Sequence, residues 1–100
     1  MFSFDIKTNE KNIDVTLKGR LDAVAAPDLY KEMEKFEAGN YEKITFHVQE
    51  LEYIASAGLR VIVFTKQKLG QNVEIFMEGA TEVVKSVLEM TGCDSFVTMI

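Results

Sequence analysis

Leu51-Glu52-Tyr53-Ile54-Ala55-Ser56-Ala57-Gly58-Leu59 runs directly into Arg60-Val61-Ile62-Val63-Phe64-Thr65-Lys66-Gln67-Lys68-Leu69-Gly70. How the second half of this stretch folds decides the architecture. Arg60 to Phe64 is rich in β-branched residues, and on local propensity it could be a strand. The signals at its ends point to a helix instead. Ser56 can cap the start, Lys66 and Lys68 stand where cations favour a helix C-terminus, and Gly70 can close it. Leu59, Ile62, Val63 and Leu69 then make a buried stripe that Val61 and Phe64 widen.

Outward from this helix the chain alternates in period. Toward the N-terminus, Ile44, Phe46 and Val48 alternate with Lys43, Thr45 and His47, the spacing of a strand. Pro27 suits the first position of a helix that carries Leu29, Tyr30, Met33 and Phe36 and stops near Ala38, before Gly39-Asn40. Ile13, Val15 and Leu17 form a strand that Gly19 ends. A turn at Asn9-Glu10-Lys11-Asn12 separates it from a strand carrying Phe2, Phe4 and Ile6, so the two read as a hairpin. Toward the C-terminus, Val73, Ile75 and Met77 mark a strand. Thr81 caps a helix with Val83, Val84, Val87 and Leu88 on its apolar face, Gly92 ends it, and Phe96 to Ile100 is a last short strand or extended tail. The order is β-β-α-β-α-β-α-(β). It predicts an α/β fold with a mixed sheet of four to five strands, largely parallel after the hairpin, and helices packed mainly on one face.

The 100 residues read as a single domain spanning 1–100, with no linker or repeat to divide it. Apolar residues make up 47% and charged residues 27%, a globular composition. The net charge of −5 comes with no basic stripe, which disfavours direct nucleic-acid binding and anionic membranes. One cysteine, Cys93, allows no disulfide within the chain and suits a reducing cytosol. The start, Met1-Phe2-Ser3-Phe4-Asp5, has no secretory pattern, and Val61 to Phe64 is too short to span a bilayer. A cytoplasmic protein that is a monomer or weak dimer is expected.

The chemistry concentrates at the strand-to-helix junction. A hydroxyl at a helix start sits among unpaired backbone N–H groups and partial positive charge. A phosphate on Ser56 would be stabilised there and would bring about −2 charge to the surface beside the helix. Docking of an acidic or apolar partner would then be lost.

Ile54-Ala55-Ser56-Ala57-Gly58-Leu59-Arg60-Val61-Ile62 resembles the signature of the STAS domain family, anti-sigma factor antagonist type, in which a serine, a small residue and Gly-Leu open a helix. Gly19-Arg20-Leu21-Asp22 resembles the family's Gly-x-Leu/Ile-Asp turn, the following Ala26-Pro27 also fits, and Met90-Thr91-Gly92 resembles its C-terminal Ser/Thr-Gly. With the element order, the resemblance covers nearly the whole chain. It implies a STAS-type sheet and a phosphorylation-switched binding module. Such a module sequesters a serine-kinase anti-sigma factor, which binds the ATP, and so releases a sigma factor. Phosphorylation of the serine ends binding, and a PP2C-type phosphatase reverses it. By position Ser56 matches the phosphoacceptor, and Asp22 the acidic residue near it. Ala55 departs from the Asp common before the serine, and Ala57 replaces a common Ser/Thr, leaving Ser56 as the only hydroxyl of the turn. The expected partner-facing set is Asp22, Glu52, Tyr53, Ala55, Ala57, Gly58 and Arg60.

Plainer readings stand beside these. Ser56 can be a helix cap alone, and Asp22 a turn residue bonded to its own backbone. A STAS scaffold or small-ligand module that is never phosphorylated is the alternative function. A serine hydrolase is disfavoured, because Ile54 stands where a nucleophile elbow needs glycine and His47 is the only histidine available as a base. A metal site lacks ligands at suitable spacing, a nucleotide-cradling glycine-rich loop is missing, and no cofactor is expected.

Overall fold

In the computed structural model, which describes residues 2–70 and 72–100, the first alternating segments form the hairpin. Strand β1 (Phe2–Asn9) pairs antiparallel with β2 (Asn12–Leu21), so that Phe4 faces Leu17 and Ile6 faces Val15 across the ladder. Then follow α1 (Ala26–Met33), β3 (Lys43–Ile54), α2 (Ser56–Leu69), β4 (Glu74–Glu78), α3 (Glu82–Thr91), a 3₁₀ turn at Cys93–Ser95 and β5 (Thr98–Met99). The strands lie side by side in chain order, β1-β2-β3-β4-β5, and every pairing after the hairpin is parallel. The expected mixed sheet and element order are both present. Among the described residues no helix is long and apolar enough to cross a membrane.

The alternation decides which face is covered. Ile13, Val15 and Leu17 of β2, Ile44, Phe46 and Val48 of β3, and Ile75 and Met77 of β4 are buried under the helices. Leu29 and Met33 of α1, Leu59, Val61, Ile62 and Leu69 of α2, and Val84 and Leu88 of α3 complete the same core. Each such side chain contributes about 1.5–3 kcal/mol of transfer free energy on leaving water. This burial outweighs the strand propensity of Val61-Ile62-Val63 and makes α2 a helix. The one hydroxyl it buries, Thr65, donates to the Val61 carbonyl at 2.8 Å. Among the described residues the opposite face of the sheet has no helix, and it carries Asp14, Thr16, His47 and Glu78.

Several local readings change. Gly19 does not end β2. It takes φ +88° where β3 slips past β2, a conformation open to glycine, and the strand continues to Leu21. Register shifts between Thr16 and Lys18 and between Gly19 and Arg20 give β3 extra residues relative to β2. Simple alternation therefore fails beyond Val48, and Leu51 and Ile54 are buried instead. Helix α1 stops at Met33, well before Ala38. Its chain then unwinds through bonds from Lys35 to Glu32 and from Phe36 to Met33, which let Phe36 meet Tyr41 edge to face at 5.4 Å. Pro27 follows Ala26, the first helical residue, and so is one position later than expected. Strand β4 begins at Glu74, just after the buried Val73. Val83 is not on the buried face of α3; it is 52% exposed, while Val84 and Leu88 point inward.

Candidate functional site

Helix α2 starts where β2 and β3 end together. Leu21 pairs with Ile54, and the Ala55 N–H donates to the Leu21 carbonyl at 2.8 Å, which anchors the turn to the neighbouring strand. Ala55 keeps extended dihedrals (φ −89°, ψ 168°) and is the N-cap, so Ser56 is the first helical residue and not the expected cap. The reason is that strand pairing holds Ala55 extended, and the chain can turn only at the next residue. The first intrahelical bond runs from the Leu59 N–H to the Ala55 carbonyl at 3.1 Å. The N–H groups of residues 56–58 precede that bond and point out of the helix start. Ser56 itself is exposed, and its hydroxyl is not spent on capping.

Gly58 is buried, unlike a partner-facing residue. A Cβ there would lie 2.7 Å from Leu21 Cγ and 3.0 Å from Ile54 Cγ1. Its role is to let the helix start press against both strand ends, which fixes the direction in which Ser56 is presented. Ala57, half-buried, borders the outer surface, and Arg60, one turn after Ser56, is exposed.

Two shallow grooves flank the outward ridge of α2. One, of about 400 Å³, runs from Ser56 along Leu59, Arg60, Val63 and Phe64 to Thr91 and Cys93. The other, of about 380 Å³, lies toward α1 and is bordered by Ala26, Pro27, Tyr30, Ala57 and Phe64. Arg60 and Phe64 separate them, and the Phe64 ring stacks on Tyr30 with centroids 4.5 Å apart. The reading of Val63 and Phe64 as part of the buried stripe is thus only half met, because both are partly exposed as groove walls. Phe64, Tyr30 and Cys93 were absent from the expected partner-facing set. No local signal marks them, since the grooves arise only when α1, α2 and the end of α3 pack together.

Asp22 lies just past Leu21, beside the Ala55 turn. Its carboxylate oxygen accepts from the Val24 N–H at 3.1 Å and the Ala25 N–H at 2.9 Å, which is the turn-residue role. Tyr53 is half-buried with the Arg20 guanidinium 4.5 Å from its ring centroid, a cation–π pair between register partners. Glu52 is exposed. His47 lies mid-strand on the uncovered sheet face, roughly 20 Å from the end of β3 by strand rise, and is no base for Ser56. Among the described residues no three His, Cys, Asp or Glu side chains are grouped to hold a metal ion.

The family model of the STAS domain matches residues 3–100. The chain is similar to an anti-sigma-B factor antagonist of Staphylococcus aureus, 25% identical over 91 residues that cover 90% of this chain and 84% of the relative. Its fold is similar to that of an anti-sigma factor antagonist from Mycobacterium paratuberculosis, with a TM-score of 0.85, 19% identity and coverage of 99% and 85% of the two chains. It is also similar to the Bacillus cell fate determinant SpoIIAA in its phosphorylated form, with a TM-score of 0.74, 14% identity and coverage of 98% and 91%.

Proposed function

The chain belongs to the STAS domain family, and from that premise we propose that it is an anti-sigma factor antagonist whose docking is switched by phosphorylation of Ser56. The observation that carries this reading is the exposed Ser56 at the head of α2, where it borders an apolar groove. Unmodified, the ridge of Arg60 and Phe64 and its flanking grooves offer an apolar surface with a cationic centre. The partner is a serine-kinase anti-sigma factor, so docking brings the Ser56 hydroxyl to the ATP held by that partner. The Ser56 oxygen attacks the γ-phosphorus, the bond to the β-phosphate oxygen breaks, and ADP leaves. Ala55 offers no carboxylate to take the hydroxyl proton, so the kinase supplies the base.

The product carries a charge of about −1.5 to −2 at the groove head. The helix-start N–H groups stabilise that charge in water, so the modified domain stays folded. Docking would strip water from the phosphate, and a buried charge without a full set of partners costs several kcal/mol. A 1.4 kcal/mol loss already weakens binding about tenfold, so the modification is sufficient to release the partner. A PP2C-type phosphatase resets the switch, and the cycle operates in the cytosol. Asp22 shapes the adjoining loop through its backbone bonds, while Glu52, Tyr53, Ala55 and Ala57 surround the docking face.

The test is incubation with a serine-kinase anti-sigma factor and ATP, read by mass spectrometry, together with partner titration of the Ser56→Asp variant. Incorporation at Ser56 that Ser56→Ala abolishes, and weakened binding of Ser56→Asp, are expected. Phosphate at another residue overturns the switch, and unchanged affinity of Ser56→Asp favours an unphosphorylated scaffold or ligand-binding role.

A further inference from the structure

The uncovered face of the sheet holds a side-chain cluster that the docking site does not use. His47 stands in the central strand, and its ring is gripped from both sides. Nε2 lies 2.9 Å from Asp14 Oδ1 on β2, and Nδ1 lies 3.2 Å from Glu78 Oε1 on β4. The Gln49 side-chain amide donates to the same Glu78 oxygen at 2.8 Å. These contacts follow from the register, which aligns Thr16, His47 and Glu78 across the three strands and leaves Asp14 diagonal to the ring.

A neutral imidazole has one N–H and one lone pair. With a carboxylate oxygen against each nitrogen, the neutral ring satisfies one contact and turns a lone pair on the other. The imidazolium donates to both. We propose that Asp14, His47 and Glu78 form a proton-controlled clasp, in which the doubly protonated ring ties β2 to β4 through β3. Because each nitrogen faces a different carboxylate, the arrangement does not converge on one point and is no metal chelate.

Other charges share the face of the clasp: on β2, Lys18 follows Thr16 and pairs with Glu50 of β3 at 3.4 Å, and on β4, Glu74 stands opposite Lys43. Across β1, Asp5 pairs with Thr16 and Lys7 pairs with Asp14. Lys43, earlier on β3, is held over the Phe76 ring at 4.9 Å. Strand β5 brings only Thr98 to this face, and the helices lie on the other side. The His47 proton is held above the ordinary value of 6.5, chiefly by the Asp14 hydrogen bond; burial, the next largest effect, opposes this, and the hydrogen bond and charge of Glu78 add to the rise. Glu78 is held below the ordinary 4.5, first by the Gln49 hydrogen bond and then by His47.

The direction of the stability change follows. A raised His47 value makes the clasp's contribution complete below about pH 6.5, and it is lost as pH rises through the folded value. A lowered Glu78 value makes its contribution present above about pH 4.5 and lost as pH falls through the folded value. Stability from this face is therefore greatest in mild acid. Each unit by which the folded imidazole exceeds the unfolded one corresponds to a tenfold larger folding constant on the acid side.

His47 is the chain's sole histidine, so its imidazole resonances are unambiguous in an NMR titration of the full chain. The expected midpoint lies above that of the same chain in urea, and moves down in both Asp14→Asn and Glu78→Gln. Urea unfolding should show stability falling from pH 6 to pH 9 in the unaltered chain and a flatter profile in His47→Gln. A midpoint at or below the denatured value overturns the clasp, as does a midpoint that neither carboxylate variant moves. The titration of the unaltered chain decides the matter even if a variant fails to fold.

Discussion

Replacing Gly58 by alanine puts the helix start to a direct test. The added methyl would meet Leu21 Cγ at 2.7 Å, Leu21 Cδ2 at 2.9 Å and Ile54 Cγ1 at 3.0 Å. Leu21 is 0% exposed and Ile54 1% exposed, so neither can swing into solvent. Overpacking of this kind costs about 1–3 kcal/mol. Against it stands the better helix propensity of alanine, at most about 1 kcal/mol. Taking the middle of the overpacking range, about 2 kcal/mol, the net expectation is a loss of about 1–2 kcal/mol, which lowers Tm by roughly 4–16 °C in a domain of this size. Urea unfolding followed by circular dichroism measures it. Gly92→Ala is the comparator: Gly92 has φ +75° with nothing within 4 Å of an added Cβ, so its cost is conformational. Combining each variant with Leu21→Ala separates the causes. The pair with Gly58→Ala should cost less than the sum of its parts, and the pair with Gly92→Ala should be additive. A Gly58→Ala protein as stable as the parent, or one additive with Leu21→Ala, would refute the close approach.

Arg60→Glu and Phe64→Ala should each weaken partner docking at least tenfold by titration calorimetry, because both residues stand on the ridge between the grooves and such side chains dominate interfaces. Far-UV circular dichroism of Arg60→Glu should match the parent. Thr81→Ala should cost about 0.5–1 kcal/mol in urea unfolding, the lower part of the usual range, since its oxygen accepts from the Val84 N–H at a long 3.4 Å. Thr65→Val should change stability by less than about 1 kcal/mol, because its hydroxyl adds a bond to a Val61 carbonyl that already serves the helix ladder; a larger loss would mean the hydroxyl has another role.

The hairpin, the parallel strands and α2 were legible because their information is local. Period-two runs such as Phe2-Phe4-Ile6 and Ile13-Val15-Leu17 need no partner to be read, and Gly70 and Gly92 close α2 and α3 as their positions predicted. What escaped depended on registration between distant segments. The slips of β3 against β2 hid the burial of Leu51 and Ile54 behind broken alternation. Ser56 looked like a cap because serine favours that position, whereas strand pairing at Ala55 moves the helix start one residue on. Gly58 resembled a surface feature of a binding motif, while its need is the space between Leu21 and Ile54. The groove beside Ser56 borrows Thr91 from the far end of α3 and Cys93 from the 3₁₀ turn that follows, and the carboxylates around His47 come from β2 and β4, so neither is marked by sequence proximity.

The chain-order sheet bears on how this molecule is made. Strands leave a ribosome in the order in which they pair, so the neighbour of each later strand has already been synthesised when that strand emerges. No described strand has to be inserted between two that precede it in the chain. Trimming the chain from residue 98 onward removes the outermost rung and leaves the earlier ladder whole, whereas deleting β2 would split the product in two.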